Sequence, residues 1–127
     1  MDRMELTRAL RADRETHYNC CQATLIPFEK ETGLDKDTAY RLGANFASGM
    51  KMGSVCGAVT GALMALGLAG AGEEAAREFK RRFKEEHGSL NCAELLAAAK
   101  ERGEERKPHC DRMVFDAVAL AEELLNK

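Results

Sequence analysis

Five cysteines, Cys20, Cys21, Cys56, Cys92 and Cys110, are the side chains in this 127-residue sequence best suited to chemistry. A thiolate is both a nucleophile and a metal ligand, while a protonated free cysteine packs as a small hydrophobe. They fall at four places, each just after a residue that starts helices: Cys20 and Cys21 follow Asn19, Cys56 follows Ser54, Cys92 follows Asn91 and Cys110 follows Pro108. The first turn of a helix carries unpaired N–H groups and a partial positive charge, which favour thiolate over thiol. These positions therefore predict lowered thiol pKa values, with Cys56 the lowest.

The spacing excludes several familiar chemistries. No C-x-x-C occurs, which argues against a thioredoxin-type dithiol and a zinc ribbon, and without C-x-x-C-H there is no covalent haem attachment. Cys20, Cys56, Cys92 and Cys110 are so far apart in the chain that they can meet only through tertiary folding, as when helix ends converge at one end of a bundle. Other candidate groups are weaker. His87 precedes a glycine at a helix end, where a cation suits the dipole without chemistry. His109 adjoins Cys110, and an imidazolium there lowers a thiol pKa. His17 is a third candidate ligand or base. Met50, Met52 and Met64 carry thioethers that suit Cu(I), but core filling is the expected role. The glycines near Cys56 do not follow a strand, so they do not form a dinucleotide site.

The elements that must position these groups read as helices throughout. Two prolines, no sustained period-2 alternation and apolar residues three and four apart predict an all-α chain. It forms a compact bundle of about six or seven short helices, a single helical domain over residues 1–127. The first helix runs from Glu5 to about Asp13. The second starts near Asn19 and runs toward Thr32, interrupted at Pro27 and ended by Gly33. Asp35 caps a third, with Ala39, Leu42, Gly43 and Phe46 inward, to Ser48-Gly49. A flexible Gly-Met-Lys-Met-Gly link leads to the central small-residue helix, on which Gly53, Gly57, Gly61 and Ala65 form a smooth ridge for close packing. A fifth helix turns Ala76, Phe79 and Phe83 inward and stops at His87-Gly88. Asn91 or Ser89 caps a sixth, carrying Leu95, Leu96 and Ala99, and Pro108 sits in the first turn of the last.

Composition bounds what the chain does. Hydrophobic residues make up 45% and charged residues 31%, with a net charge of -2, as in a folded globular protein. The basic cluster Lys80, Arg81, Arg82 and Lys84 alternates with Glu78, Glu85 and Glu86 at helical spacing, so it is a solvated face rather than a nucleic-acid patch. The N-terminal segment is charged and lacks a signal sequence, so the cytoplasm is the expected compartment, where permanent disulfides are rare. Residues 55–71 are small rather than strongly apolar, which suits a buried core helix better than a membrane span.

Cys56-Gly57-Ala58-Val59-Thr60-Gly61 follows C-G-A-x-x-G, with Tyr18-Asn19-Cys20-Cys21-Gln22 upstream and two further cysteines downstream. With that order of cysteines, the stretch from about Tyr18 to Leu125 resembles the redox-active C_GCAxxG_C_C family. The resemblance implies a small helical domain with redox or metal chemistry at Cys20, Cys56, Cys92 and Cys110. Two departures are visible: Val55 and Gly57 flank Cys56 where the family name writes glycine and alanine, and Cys21 is an additional thiol. Three functions remain open. The four cysteines could serve as catalytic groups in thiol/disulfide exchange with an unknown redox partner. They could instead hold an iron-sulfur cluster or Zn(II), with Cys21 as an extra ligand. The third reading is a protein-interaction module in which the cysteines only pack and the first and last helices form a homodimer.

Overall fold

A computed structural model describes residues 1–126. The chain is all-α, with eight α-helices among the described residues: α1 (Arg3–Ala12), α2 (Cys20–Leu25), α3 (Glu29–Thr32), α4 (Lys36–Gly43), α5 (Gly57–Leu68), α6 (Gly72–His87), α7 (Cys92–Glu101) and α8 (Arg106–Leu125). The pieces are more numerous and shorter than the sequence suggests, because Pro27 sits in a 3-10 turn, Ile26–Phe28, that separates α2 from α3. Asn19 opens α2 with a reciprocal cap: its side chain accepts from the Gln22 N–H at 2.8 Å, and the Gln22 side chain accepts from the Asn19 N–H at 2.9 Å.

The third expected helix needs correction. Asp35 caps α4 as predicted, but α4 ends at Gly43 rather than at Ser48-Gly49, and Leu42 is 41% exposed instead of inward. The physical reason is a competing donor. The Asn19 amide donates to the carbonyls of Gly43 and Ala44 at 3.1 and 3.4 Å, and the Gly43 carbonyl also accepts from the Phe46 N–H at 3.2 Å, so these groups are satisfied without a further α-helical turn.

The Gly-Met-Lys-Met-Gly segment is not a featureless link. Ser48, Gly49, Met50 and Lys51 are all left-handed, with φ between 52° and 62°. Each non-glycine residue in that region costs roughly 1–2 kcal/mol. Hydrogen bonds offset part of this: Lys51 N–H donates to the Ala47 carbonyl at 2.8 Å, and Ser54 N–H to the Ser48 carbonyl at 3.0 Å. The turn holds Met50 and Met52 outward, 51% and 73% exposed, so these two methionines do not fill the core.

Helix α5 is the structural centre, packed against α2, α6 and α8. Gly57 and Gly61 let α2 approach closely. A Cβ on Gly61 would lie 2.7 Å from the Cys21 carbonyl oxygen, and one on Gly57 would lie 3.0 Å from the Cys20 Cβ. The ridge is therefore Gly57, Gly61 and Ala65, while Gly53 belongs to the preceding turn. Close packing offsets the ~1 kcal/mol that each helical glycine costs relative to alanine. Around α5 the core closes with Phe28, Phe79, Phe83, Met113, Val114 and Val118. The buried stripe of α8 also takes α1, so the apolar faces of the first and last helices meet within the chain. Among the described residues no helix is long and apolar enough to cross a membrane.

Candidate thiol site

Cys56 and Cys92 are brought together by a feature with no helical periodicity. Val55 and Asn91 form an isolated antiparallel bridge, in which Cys56 N–H donates to the Leu90 carbonyl at 2.8 Å and Cys92 N–H to the Ser54 carbonyl at 2.6 Å. The bridge sets the starts of α5 and α7 side by side, with Cys56 as the N-cap of α5 and Cys92 as the first residue of α7. Cys20 is the first residue of α2, next to the Gly57 end of the α2–α5 seam. Cys110 is the exception to the helix-start pattern. Helix α8 begins at Arg106, so Pro108 is its third residue and Cys110 its fifth, beyond the first turn.

All four of these cysteines line one cavity of about 450 Å³, a size suited to a small ligand. Its remaining wall includes Arg11, Arg106, Lys107, His109, Leu95 and Met113. Arg11 is buried and fixed: Nε donates to Asp111 at 2.7 Å and a terminal nitrogen donates to the Tyr18 carbonyl at 2.9 Å. Lys107 reaches the same carboxylate and the Arg11 carbonyl, both at 2.8 Å. This network ties α1, the approach to α2 and α8 into a rigid rim.

Electrostatics within the cavity reverse one expectation. Cys56 is not the most acidic thiol: burial raises its pKa to about 11, although the N–H groups of Ala58 and Val59 pull the other way. Helix-start stabilisation is present but smaller than the desolvation penalty. Cys110 is the thiol held low, at about 6, first by a hydrogen bond from Cys20, against burial, with help from the charges of Arg11 and Arg106. Cys20 is correspondingly held far above the ordinary value by its bond to Cys110 and by burial. The pairing favours the charge on Cys110 and the proton on Cys20. Burial lowers the His109 pKa despite the nearby Glu104, which works against the imidazolium expected beside Cys110.

Cys21 takes no part in this cavity. One step along α2 from Cys20 it is fully buried, its Sγ 3.9 Å from the Met64 sulfur, and burial pushes its pKa up to about 12. His17 lines the cavity, but His87 lies elsewhere, beside Asp116. Sequence reasoning missed Arg11 and Arg106. Arg106 was detectable, because it stands one helical turn before Cys110 on α8. Arg11 was not, because only tertiary packing brings α1 to the thiols.

A single thiolate-bound ion needs its sulfurs about 3.8 Å apart, given bonds of ~2.3 Å in a tetrahedron. Among the described residues no three cysteine sulfurs lie within 4.8 Å of one another. The thiols surround a space and are not collapsed onto one point. The pattern of the family described as "Putative redox-active protein (C_GCAxxG_C_C)" matches residues 18–124. No curated protein and no solved structure matches the chain.

Proposed function

Since the chain belongs to the C_GCAxxG_C_C family, we propose that it carries out thiol/disulfide exchange, with Cys110 as the attacking thiolate and Cys20 as the resolving thiol. The observation that carries this reading is the single cavity lined by Cys20, Cys56, Cys92 and Cys110, in which the Cys110 thiol is held low beside Cys20. A thiol with pKa near 6 is mostly thiolate at neutral pH, and its partner keeps the proton until the second step.

The reaction balances as follows. Cys110 attacks one sulfur of an incoming disulfide, forming a mixed disulfide and releasing the other sulfur as a thiolate, which takes a proton from water. Cys20 then loses its proton to water and attacks Cys110 Sγ. The bond from Cys110 to the substrate breaks, the Cys20–Cys110 disulfide forms, and the second substrate thiol leaves. Two electrons pass from the protein dithiol to the substrate. Arg11 and Arg106 stabilise the Cys110 thiolate before attack. Cys56 and Cys92, held by the Val55–Asn91 bridge, are the second dithiol, able to return the first pair to its reduced form by the same exchange.

Treating the reduced chain with a small organic disulfide and mapping the products by peptide mass spectrometry tests this. The expected result is a Cys20–Cys110 cross-link with Cys21 still free. Five unmodified thiols after treatment would refute it. So would stoichiometric iron or zinc in anaerobically purified protein that shields Cys20, Cys56, Cys92 and Cys110 from modification until chelated, which is the result the metal-holding alternative requires.

A further inference from the structure

We propose that Glu86, His87 and Asp116 form a site for a first-row divalent cation, bound by two carboxylate oxygens and one imidazole nitrogen where the end of α6 meets the middle of α8. One potential ligand atom from each lies within 4.8 Å of the other two. His87 Nε2 is 3.2 Å from an Asp116 oxygen and 4.0 Å from a Glu86 oxygen. Ligands bound at about 2.0–2.2 Å are separated by roughly 3 to 3.5 Å, so only a small movement of Glu86 is needed to close the set.

The observation that points to a ligand is the imidazole. The His87 side chain is only 5% exposed, and its Nε2, although near enough to Asp116 for an ion pair when the ring is protonated, makes no hydrogen bond. A buried polar atom left without a hydrogen bond is destabilising. A cation would use that lone pair. The ring is fixed against Phe83, with centroids 4.5 Å apart, so Nε2 is aimed rather than free to turn. The guanidinium groups of Arg102 and Arg112 make their direct ion pairs with Glu104, at 3.0 and 2.9 Å, and the Arg112 charge acts on Glu86 and Asp116 through space without a direct ion pair to either. Glu86 is largely exposed and leaves one flank open, so water would complete the coordination. Oxygen and imidazole donors of this kind suit Mn(II), Fe(II) or Zn(II) rather than soft Cu(I).

The site shares no residue with the thiols, although His109, Leu95 and Met113 line both the thiol cavity and the space beside Glu86 and His87. It is therefore tested independently of the exchange reaction. Mn(II) is the suitable probe, since it prefers carboxylate and imidazole to thiolate. Titration of the full reduced chain, followed by loss of the free Mn(II) resonance in electron paramagnetic resonance, should show one bound ion per chain. Glu86→Gln and Asp116→Asn should each weaken binding by about tenfold or more, with circular dichroism verifying the fold, and Cys110→Ser should leave the affinity unchanged. Absence of saturable binding would overturn the proposal. So would unchanged affinity in Asp116→Asn, or binding lost in Cys110→Ser.

Discussion

Cys20 and Cys21 are neighbours in the chain and occupy opposite environments. Cys20 opens onto a cavity with three other thiols and two guanidinium groups, while Cys21 is sealed in the seam between α2 and α5 beside Met64. The backbone starts both at the first turn of α2, so a helix N-terminus is not what separates them. About 100° of rotation around one helix does, by deciding which thiol meets charge and which meets hydrocarbon. The same contrast holds between Cys56 and Cys110. The better helix-start position has the higher pKa, because burial outweighs the helix terminus, and the thiol beyond the first turn has the lower one, because it has Cys20, Arg11 and Arg106.

Differential alkylation gives the largest way to break that comparison. At pH 7 a thiol with pKa near 6 is about 90% ionised, against about 3% for an ordinary thiol, a difference of roughly 30-fold in reactive form. Cys110→Ser should therefore abolish the fast phase of iodoacetamide labelling, leaving Cys21 unlabelled in the native chain. Because thiolate is the reactive form, labelling of Cys110 should rise as pH increases through about 6 and level off near neutrality. A fast phase that survives Cys110→Ser would remove the distinction.

The sealed region should respond in stability instead. Gly61→Ala places a methyl 2.7 Å from the Cys21 carbonyl oxygen, on backbone that can yield only by parting α2 from α5. A loss of about 1–3 kcal/mol is expected in urea unfolding, as for overpacked cores. Cys21→Ala should cost about 1 kcal/mol, the typical loss for a buried substitution, and leave the labelling rate of Cys110 unchanged. If it slowed Cys110, the two regions would not be separate. The smallest effect belongs to Arg106→Gln. Removing one of several stabilising groups should move the midpoint of the Cys110 labelling profile upward by a fraction of a pH unit, with no change in urea midpoint.

Much of this fold was legible because it is local. Helical periodicity, the caps at Asn19, Asp35 and Asn91, the break at Pro27 and the small-residue face of α5 depend on residues a few positions apart, and all appear in the structure. What misled was also local: the stripe that extended α4 to Ser48 ignored Asn19, which takes the carbonyls of Gly43 and Ala44. The left-handed turn at residues 48–51 had no signal of its own, since only Gly49 among its four residues favours that conformation.

For the candidate site, the order of cysteines and the motif around Cys56 were enough to indicate the family and to single out four thiols of five. Their proton affinities were not available from spacing. A pKa sums desolvation, hydrogen bonds and charges over every group within several ångströms, and for Cys110 those groups come from α1, α2 and α8. Composition and periodicity specify which helices form and which faces they bury, because those depend on near neighbours. Which thiol is held acidic, which is sealed in a seam and which histidine nitrogens make no hydrogen bond were decided by how the helices meet, because desolvation and Coulomb interaction act through space and not along the chain.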